Sequence, residues 1–289
     1  MSIETRNRIL VELQSISDLP TLPSVFLKLM RLMRDPNLQI KDISKVVESD
    51  PAISMKVLRL VNSSFYGLSR SIDSVHQAVV LLGSSNLKNI VISISIFKSL
   101  SDVDKEGGFD RAAFWLHSIG CGTAARYLEK RLGLGSQEEA FIGGITHDIG
   151  KVILDKYFND EFYAALKFSS ENKVSIYRAE MELLGTSHAE VGAHIAGQWQ
   201  LPQKFVDIIA QHHKFDPESE NAKQVALIII SDRLVRKFRI GSGGGNFIPK
   251  VAPIVWETLG ITEDSLSECE EELKAEVEAS KDILGEMLK

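Results

Sequence analysis

The chain has 289 residues, 44% hydrophobic and 25% charged, with a net charge of −6 and two cysteines, which fits one large globular domain or two small ones. The acidic balance argues against broad nucleic-acid binding, which needs a basic surface, and the distant Cys121 and Cys269 provide no disulfide framework. The longest purely apolar run of interest, Val225–Ile230, is too short to span a bilayer and MSIETRNRIL has no apolar signal core, so a cytoplasmic protein in a reducing compartment, away from membranes, is expected.

The periodicity predicts helices throughout. Pro23 opens a helix with apolar residues at Val25, Leu27, Leu29, Met30, Leu32 and Met33, and Pro36 ends it. Ile40, Ile43, Val46 and Val47 form a short amphipathic stripe. Asp50 reads as a cap with Pro51 at the first helical position, and Ile53, Val57, Leu60 and Val61 continue that helix until Gly67. Segment 73–82 is another apolar helix, stopped near Gly83. Segment 87–97, LKNIVISISIF, alternates at period two as a strand would; it is assigned to a helix because its neighbours are helical and no partner strand is apparent.

Punctuation divides the chain into an N-terminal helical lobe (1–100), a polar linker SDVDKEGGFD (101–110), a second helical lobe (111–240), and a region 241–289. That last region begins with GSGGG, read as a flexible break, and continues as an acidic helical tail. Leu266, Leu273, Val277 and Leu284 suit an accessory helix or a partner contact.

The second lobe holds five of the seven histidines, in the order His117, His147 with Asp148, His188, His212 with His213, and then Asp232. Neutral imidazoles and carboxylates are ligands for divalent transition metals. Each position also has a plain structural explanation. His117, in FWLHSIGCGTAARYL, reads alone as a satisfied core histidine, and Cys121 one turn on as a packing residue. His147 and Asp148, in AFIGGITHDIGKVIL, point about 100° apart on a helix. One imidazole and one bridging carboxylate could therefore serve two ions. Ile145, Ile149 and Ile153 around them predict burial, and a buried Asp148 requires a cationic partner. Ser187 or Thr186 would cap the helix that starts at His188, with His194 off its face. His212 and His213 close the helix KFVDIIAQHHKF, where they could instead favour the negative end of its dipole. Asp232, on an apolar stripe, requires a metal or an ion pair with Arg233 or Arg236.

The block GGITHDIGKVIL, with His117 upstream and Asp232 downstream, resembles the HD superfamily of metal-dependent phosphohydrolases. LPTLPSVFLKLMRLM, VVESDPAISMKVLRLVNSSFYG and IDSVHQAVVLLG in the first half, with MELLGTSHAEVGAHIAGQWQLPQKFVDIIAQHH in the second, narrow the resemblance to HDOD domain proteins over about residues 15–240. It implies an all-α, two-lobed HDOD fold with an HD-type C-terminal lobe, and a bacterial signalling or regulatory role with protein partners. The alternative is an active phosphohydrolase or phosphodiesterase acting on a nucleotide or other phosphate ester.

The ligand set is also similar to that of HD-GYP phosphodiesterases, which hydrolyse cyclic di-GMP. HHKFDPES, however, lacks Gly-Tyr-Pro, and Gly143 stands where some members carry an additional acidic ligand. The resemblance implies two ions, and N/O ligands without thiolates suit Fe, Mn or Ni. His117, His147, Asp148 and Asp232 would hold one, and Asp148, His188, His212 and His213 the other. In a hydrolase Asp148 and Lys151 would be catalytic, and Arg126, Lys214 and Arg233 would be candidate phosphate contacts. The cluster Arg233, Arg236, Lys237 and Arg239 otherwise reads as a solvated helix face.

Overall fold

A computed structural model describes residues 2–15, 24–32, 35, 39–62, 71–100, 108–245 and 247–288. Pro23, Met33, Pro36, Gly67 and most of the expected linker lie outside the described residues. Among those described there is no strand, and no helix is long and apolar enough to cross a membrane. The chain divides into two compact units, residues 20–102 with 279–289, and residues 1–19 with 103–278.

Helix α1 (Ser2–Ser15) belongs to the second of these units, where the sequence-based boundary at residue 100 put it with the first. Ile9 and Leu13 are fully buried, and Arg6 and Arg8 pair with Glu190 and Glu161. An amphipathic helix carries no mark of which lobe it will cover; only its partners' positions decide.

The unit 20–102 contains α2 (Ser24–Leu32), α3 (Ile40–Glu48), α4 (Pro51–Val61), α5 (Val75–Leu82) and α6 (Ser84–Leu100). Asp50 caps α4 by accepting from the backbone N–H groups of Ala52 and Ile53, with Pro51 just inside the helix. Ser74 caps α5, and Gly83, at φ +83°, ends it. The alternating segment 87–97 is helical: Val91, Ile92, Ile94, Ile96, Ser93 and Ser95 are all buried. A helix buried on nearly every side loses its 3.6-residue stripe, which is why its sequence imitates a strand.

The unit bearing the histidines is built on α7 (Arg111–Leu132), α8 (Gln137–Thr146), α9 (Ile149–Tyr157), α10 (Asn159–Asn172), α11 (Ile176–Leu183), α12 (His188–Gln198), α13 (Gln203–Gln211) and α14 (Ala222–Lys237). Glycines set two of its helix crossings. A Cβ on Gly144 of α8 would lie 2.4 Å from the backbone N of Gly122 on α7. One on Gly150 of α9 would lie 1.9 Å from the carbonyl O of His188 and 2.7 Å from the N of Gly192 on α12. These contacts bring His117 to His147 and Asp148 to His188.

The GSGGG segment is a packed strap here. Ser242 N–H donates to the Ala113 carbonyl at 2.9 Å, and a Cβ on Gly243 would meet the Arg236 guanidinium at 2.7 Å. Glycine runs serve both free linkers and close backbone contacts, and composition does not distinguish them. The chain continues through α15 (Pro253–Leu259), a 3-10 turn (Asp264–Cys269) and α16 (Glu270–Leu288). Leu266, Leu273, Val277 and Leu284 are buried, and Glu272 accepts a 2.6 Å bond from the Tyr127 hydroxyl. The tail up to residue 278 is thus part of this unit.

Candidate metal centre

All seven expected ligands meet inside the second unit, in two adjoining groups. One ligand atom from each of His117, Cys121, His147 and Asp232 lies within 4.8 Å of the others, and the same holds for Asp148, His188, His212 and His213. Cys121, read from sequence as packing, stands in the first group because i and i+4 share a helix face.

His147 and Asp148 do not continue one helix, as the sequence reading assumed; they form the junction between α8 and α9. Asp148 has the N-cap position of α9 but makes no side-chain cap bond, which frees its carboxylate for the cluster. Its two oxygens face opposite ways. Oδ2 is 3.2 Å from His147 Nε2 and 4.0 Å from His117 Nε2; Oδ1 is 3.1 Å from His188 Nε2 and 3.4 Å from His212 Nε2. Asp232 Oδ1 lies 2.8 Å from His117 Nε2 and 3.8 Å from His147 Nε2. Ser187 caps α12 and so sets His188 at its first position.

Three of the imidazoles are oriented from behind. His147 Nδ1 donates to the Gly144 carbonyl at 2.7 Å and His212 Nδ1 to that of Ile209 at 2.8 Å. A carbonyl only accepts, so each ring turns a lone pair on Nε2 toward the cluster. His188 Nδ1 is 2.6 Å from Glu180 Oε2 on α11. Such a carboxylate behind a histidine fixes the ring and raises its basicity as a ligand.

Burial costs any charge that is not paired. It pushes His117 and His212 down to about 4, and His213 well below the ordinary histidine value. Burial disfavours the cationic form at both His212 and His213, which counts against the dipole explanation of that pair. Burial also opposes a charged His188, but Glu180 and Asp148 outweigh it and raise that group. Asp148 and Asp232 lie well below the usual carboxylate range: burial alone would raise them, and it is overcome at Asp148 by His147, Lys151 and His188, and at Asp232 by Arg236 and His117.

Lys151, fully buried, is the cationic partner Asp148 required, with Nζ 2.5 Å from Oδ2. Arg236 Nε donates to both Asp232 oxygens, at 2.8 and 2.9 Å. Arg236 is therefore inside the site and not on a solvated face; its i+4 spacing from Asp232 was the available signal. Arg233 turns away to the Pro249 carbonyl and Glu263, Arg126 lies over the Phe141 ring, and Lys214 is exposed. Glu180 had no sequence signal, since only folding sets it behind His188. Gly143 packs against Ile208 and Ile228, and a Cβ there would lie 2.9 Å from Ile208 Cδ1.

The donor set fits a metal. His147 Nε2 and Asp148 Oδ1 are buried, face the cluster, and have no hydrogen-bond partner among the described residues. Native proteins rarely leave such atoms unsatisfied without an ion or water. The burial of these groups predicts a pH dependence for the metal-free protein. His117 and His212 titrate near 6.5 when unfolded and near 4 when folded, so the unfolded chain takes up protons first and stability falls as pH drops from 6.5 toward 4. Below about 3.8 the depressed Asp148 and Asp232 add to the loss, while His188 opposes it, its contribution being complete below 6.5. Urea midpoints in chelator should be lower at pH 4.5 than at pH 7; an equal or higher midpoint contradicts this.

Access is narrow. His117, His147, Asp148, Lys151, His188, His212 and Asp232 are all at most 5% exposed. The cleft reaching His213 and Arg236 holds about 10 Å³, roughly one water, and is bounded by Gly245 of the strap and by Phe247 and Pro249 just after it. Gly245 and Phe247 also line a pocket of about 570 Å³, with Phe109, Leu166, Lys173 and Ser242.

Comparison with known proteins places this site in context. The HDOD domain model matches residues 19–215. An uncharacterised protein of Treponema pallidum (strain Nichols) is 25% identical over 236 residues, which cover 81% of this chain and 45% of that protein. The chain therefore spans less than half of that relative. An HDOD domain protein of unknown function from Geobacter sulfurreducens superposes with a TM-score of 0.79 at 26% identity, covering 96% of this chain and 98% of the other. A Shewanella amazonensis SB2B protein, named as a candidate phosphohydrolase, gives a TM-score of 0.73 at 26% identity over 96% and 97% of the two chains.

Proposed function

We propose, from the premise that this chain belongs to the HDOD domain family, that it is a regulatory protein organised around an intact binuclear His/Asp metal centre. The observation that carries this reading is a full set of converging, correctly presented donors enclosed so tightly that the cleft leading to them holds about 10 Å³. A ligand set without room for a substrate suits a sensory or structural ion. The two ions would be held by His117, His147 and Asp232 on one side and His188, His212 and His213 on the other, with Asp148 between them. The exposed Val80 and Leu81 of α5 support a protein contact on the unit 20–102.

A second reading, as a phosphohydrolase, is favoured by two cations beside the cluster, the buried Lys151 and the nearly buried Arg236. A divalent ion supplies Lewis acidity toward a phosphoryl oxygen and toward water. In that reading Lys151 and Arg236 would neutralise charge developing on the phosphate, and the strap would have to move.

Protein purified without chelator should contain two transition-metal ions per chain, Fe, Mn or Ni. With added Mn or Fe it should leave aryl phosphate diesters intact. Turnover that disappears in Asp148→Ala would replace the regulatory reading with the second one. Absence of metal would refute both.

A further inference from the structure

Cys121 stands one turn after His117 on α7, fully buried, with Sγ 3.5 Å from His117 Nε2. A buried cysteine alone is ordinarily a packing residue. An independent observation points to a ligand here. His147 Nε2 is completely buried, lacks any hydrogen-bond partner among the described residues, and faces the same group, 3.8 Å from Asp232 Oδ1. Its other nitrogen is already committed to the Gly144 carbonyl.

The separations suit one ion. Metal–N and metal–O bonds of about 2.0–2.2 Å and a metal–S bond of about 2.3 Å place tetrahedral donors about 3.3–3.6 Å apart. The S···N separation is 3.5 Å, and the two N···O separations, 2.8 and 3.8 Å, bracket that range. The other candidate for the fourth place, Asp148 Oδ2, is 3.2 Å from His147 Nε2 but 4.0 Å from His117 Nε2, and it is held by Lys151 Nζ at 2.5 Å.

We infer that the half of the centre formed by His117, His147 and Asp232 is a thiolate site, closed by Cys121 as its fourth protein ligand. This rests on the metal-centre reading above. On binding, the thiol S–H bond gives way to a metal–S bond and the proton leaves to solvent. Four protein ligands leave no open position, the mark of a structural ion. A soft thiolate also favours zinc or iron over manganese.

Metal-free protein titrated with Co(II) tests this directly. The wild type and Cys269→Ser should both show an intense near-ultraviolet sulfur-to-cobalt charge-transfer band. Cys121→Ser should lose that band and one cobalt per chain while keeping cobalt in the other half. X-ray absorption of the zinc-loaded wild type, which needs no variant, should show a sulfur scatterer at about 2.3 Å. Bound cobalt without a sulfur band, or zinc surrounded only by N/O scatterers, overturns the thiolate ligand and leaves the metal centre standing. A wild type that binds neither cobalt nor zinc overturns both.

Discussion

Asp148→Asn should disarm the centre and destabilise the fold together. The substitution keeps the shape but removes the one carboxylate whose oxygens face both histidine groups, at 3.2 Å from His147 Nε2 and 3.1 Å from His188 Nε2. Elemental analysis should find at least the ion held with His188, His212 and His213 lost. In chelator, where the metal no longer contributes, Lys151 is left as a fully buried ammonium without its 2.5 Å partner. Breaking a buried pair by removing one partner costs about 3–5 kcal/mol, which for a domain of this size lowers the melting temperature by about 10 °C. Lys151→Met in the same background should recover much of that loss, because the orphaned charge goes with it. Unchanged metal content and melting in Asp148→Asn would show that neither role belongs to this residue.

Gly150→Ala is expected to have the second large effect, through sterics alone. The added methyl would sit 1.9 Å from the His188 carbonyl O and 2.7 Å from the Gly192 N, both backbone atoms that no rotamer change can move. Helices α9 and α12 must separate. Overpacking of this kind costs about 1–3 kcal/mol and sometimes more. The separation also withdraws His188 from Asp148, so metal affinity should fall with stability. Gly197→Ala is the matched control: it lies on α12, with nothing within 4 Å of the added methyl, and should be neutral or stabilising by up to about 1 kcal/mol. Equal behaviour of the two variants in thermal melts and metal titration would refute the close-approach role of Gly150.

How much of this was legible in the residues varies with the range of the interaction. The Asp50–Pro51 start, the Ser187 cap and the end of α5 at Gly83 are local devices, and each appears where its residues indicated. Segment 87–97 was nearly misleading, because burial on all sides erased its helical period. The strap at 241–245 was misread because glycine is selected alike for freedom and for close approach. The place of α1, with Arg6 on Glu190 of α12, depends on a contact across 184 positions, and nothing local encodes it. Within the site, Arg236 was legible as one of two candidate ion-pair partners of Asp232, and the pair forms at 2.8 Å. Glu180 and the ligand geometry of Cys121 were not legible.

By itself, the sequence determined the helical class, the family, and the ordered His and Asp donors, because caps, periodicity and motif order are properties of neighbouring residues. Only the tertiary structure decided that these donors converge, that the Asp148 oxygens face two groups, and that Cys121, Glu180 and Arg236 join them. The same packing encloses the site beneath a glycine strap. These facts depend on where separate helices cross, and the crossings are set by backbone contacts at Gly144 and Gly150 with partners far away along the chain.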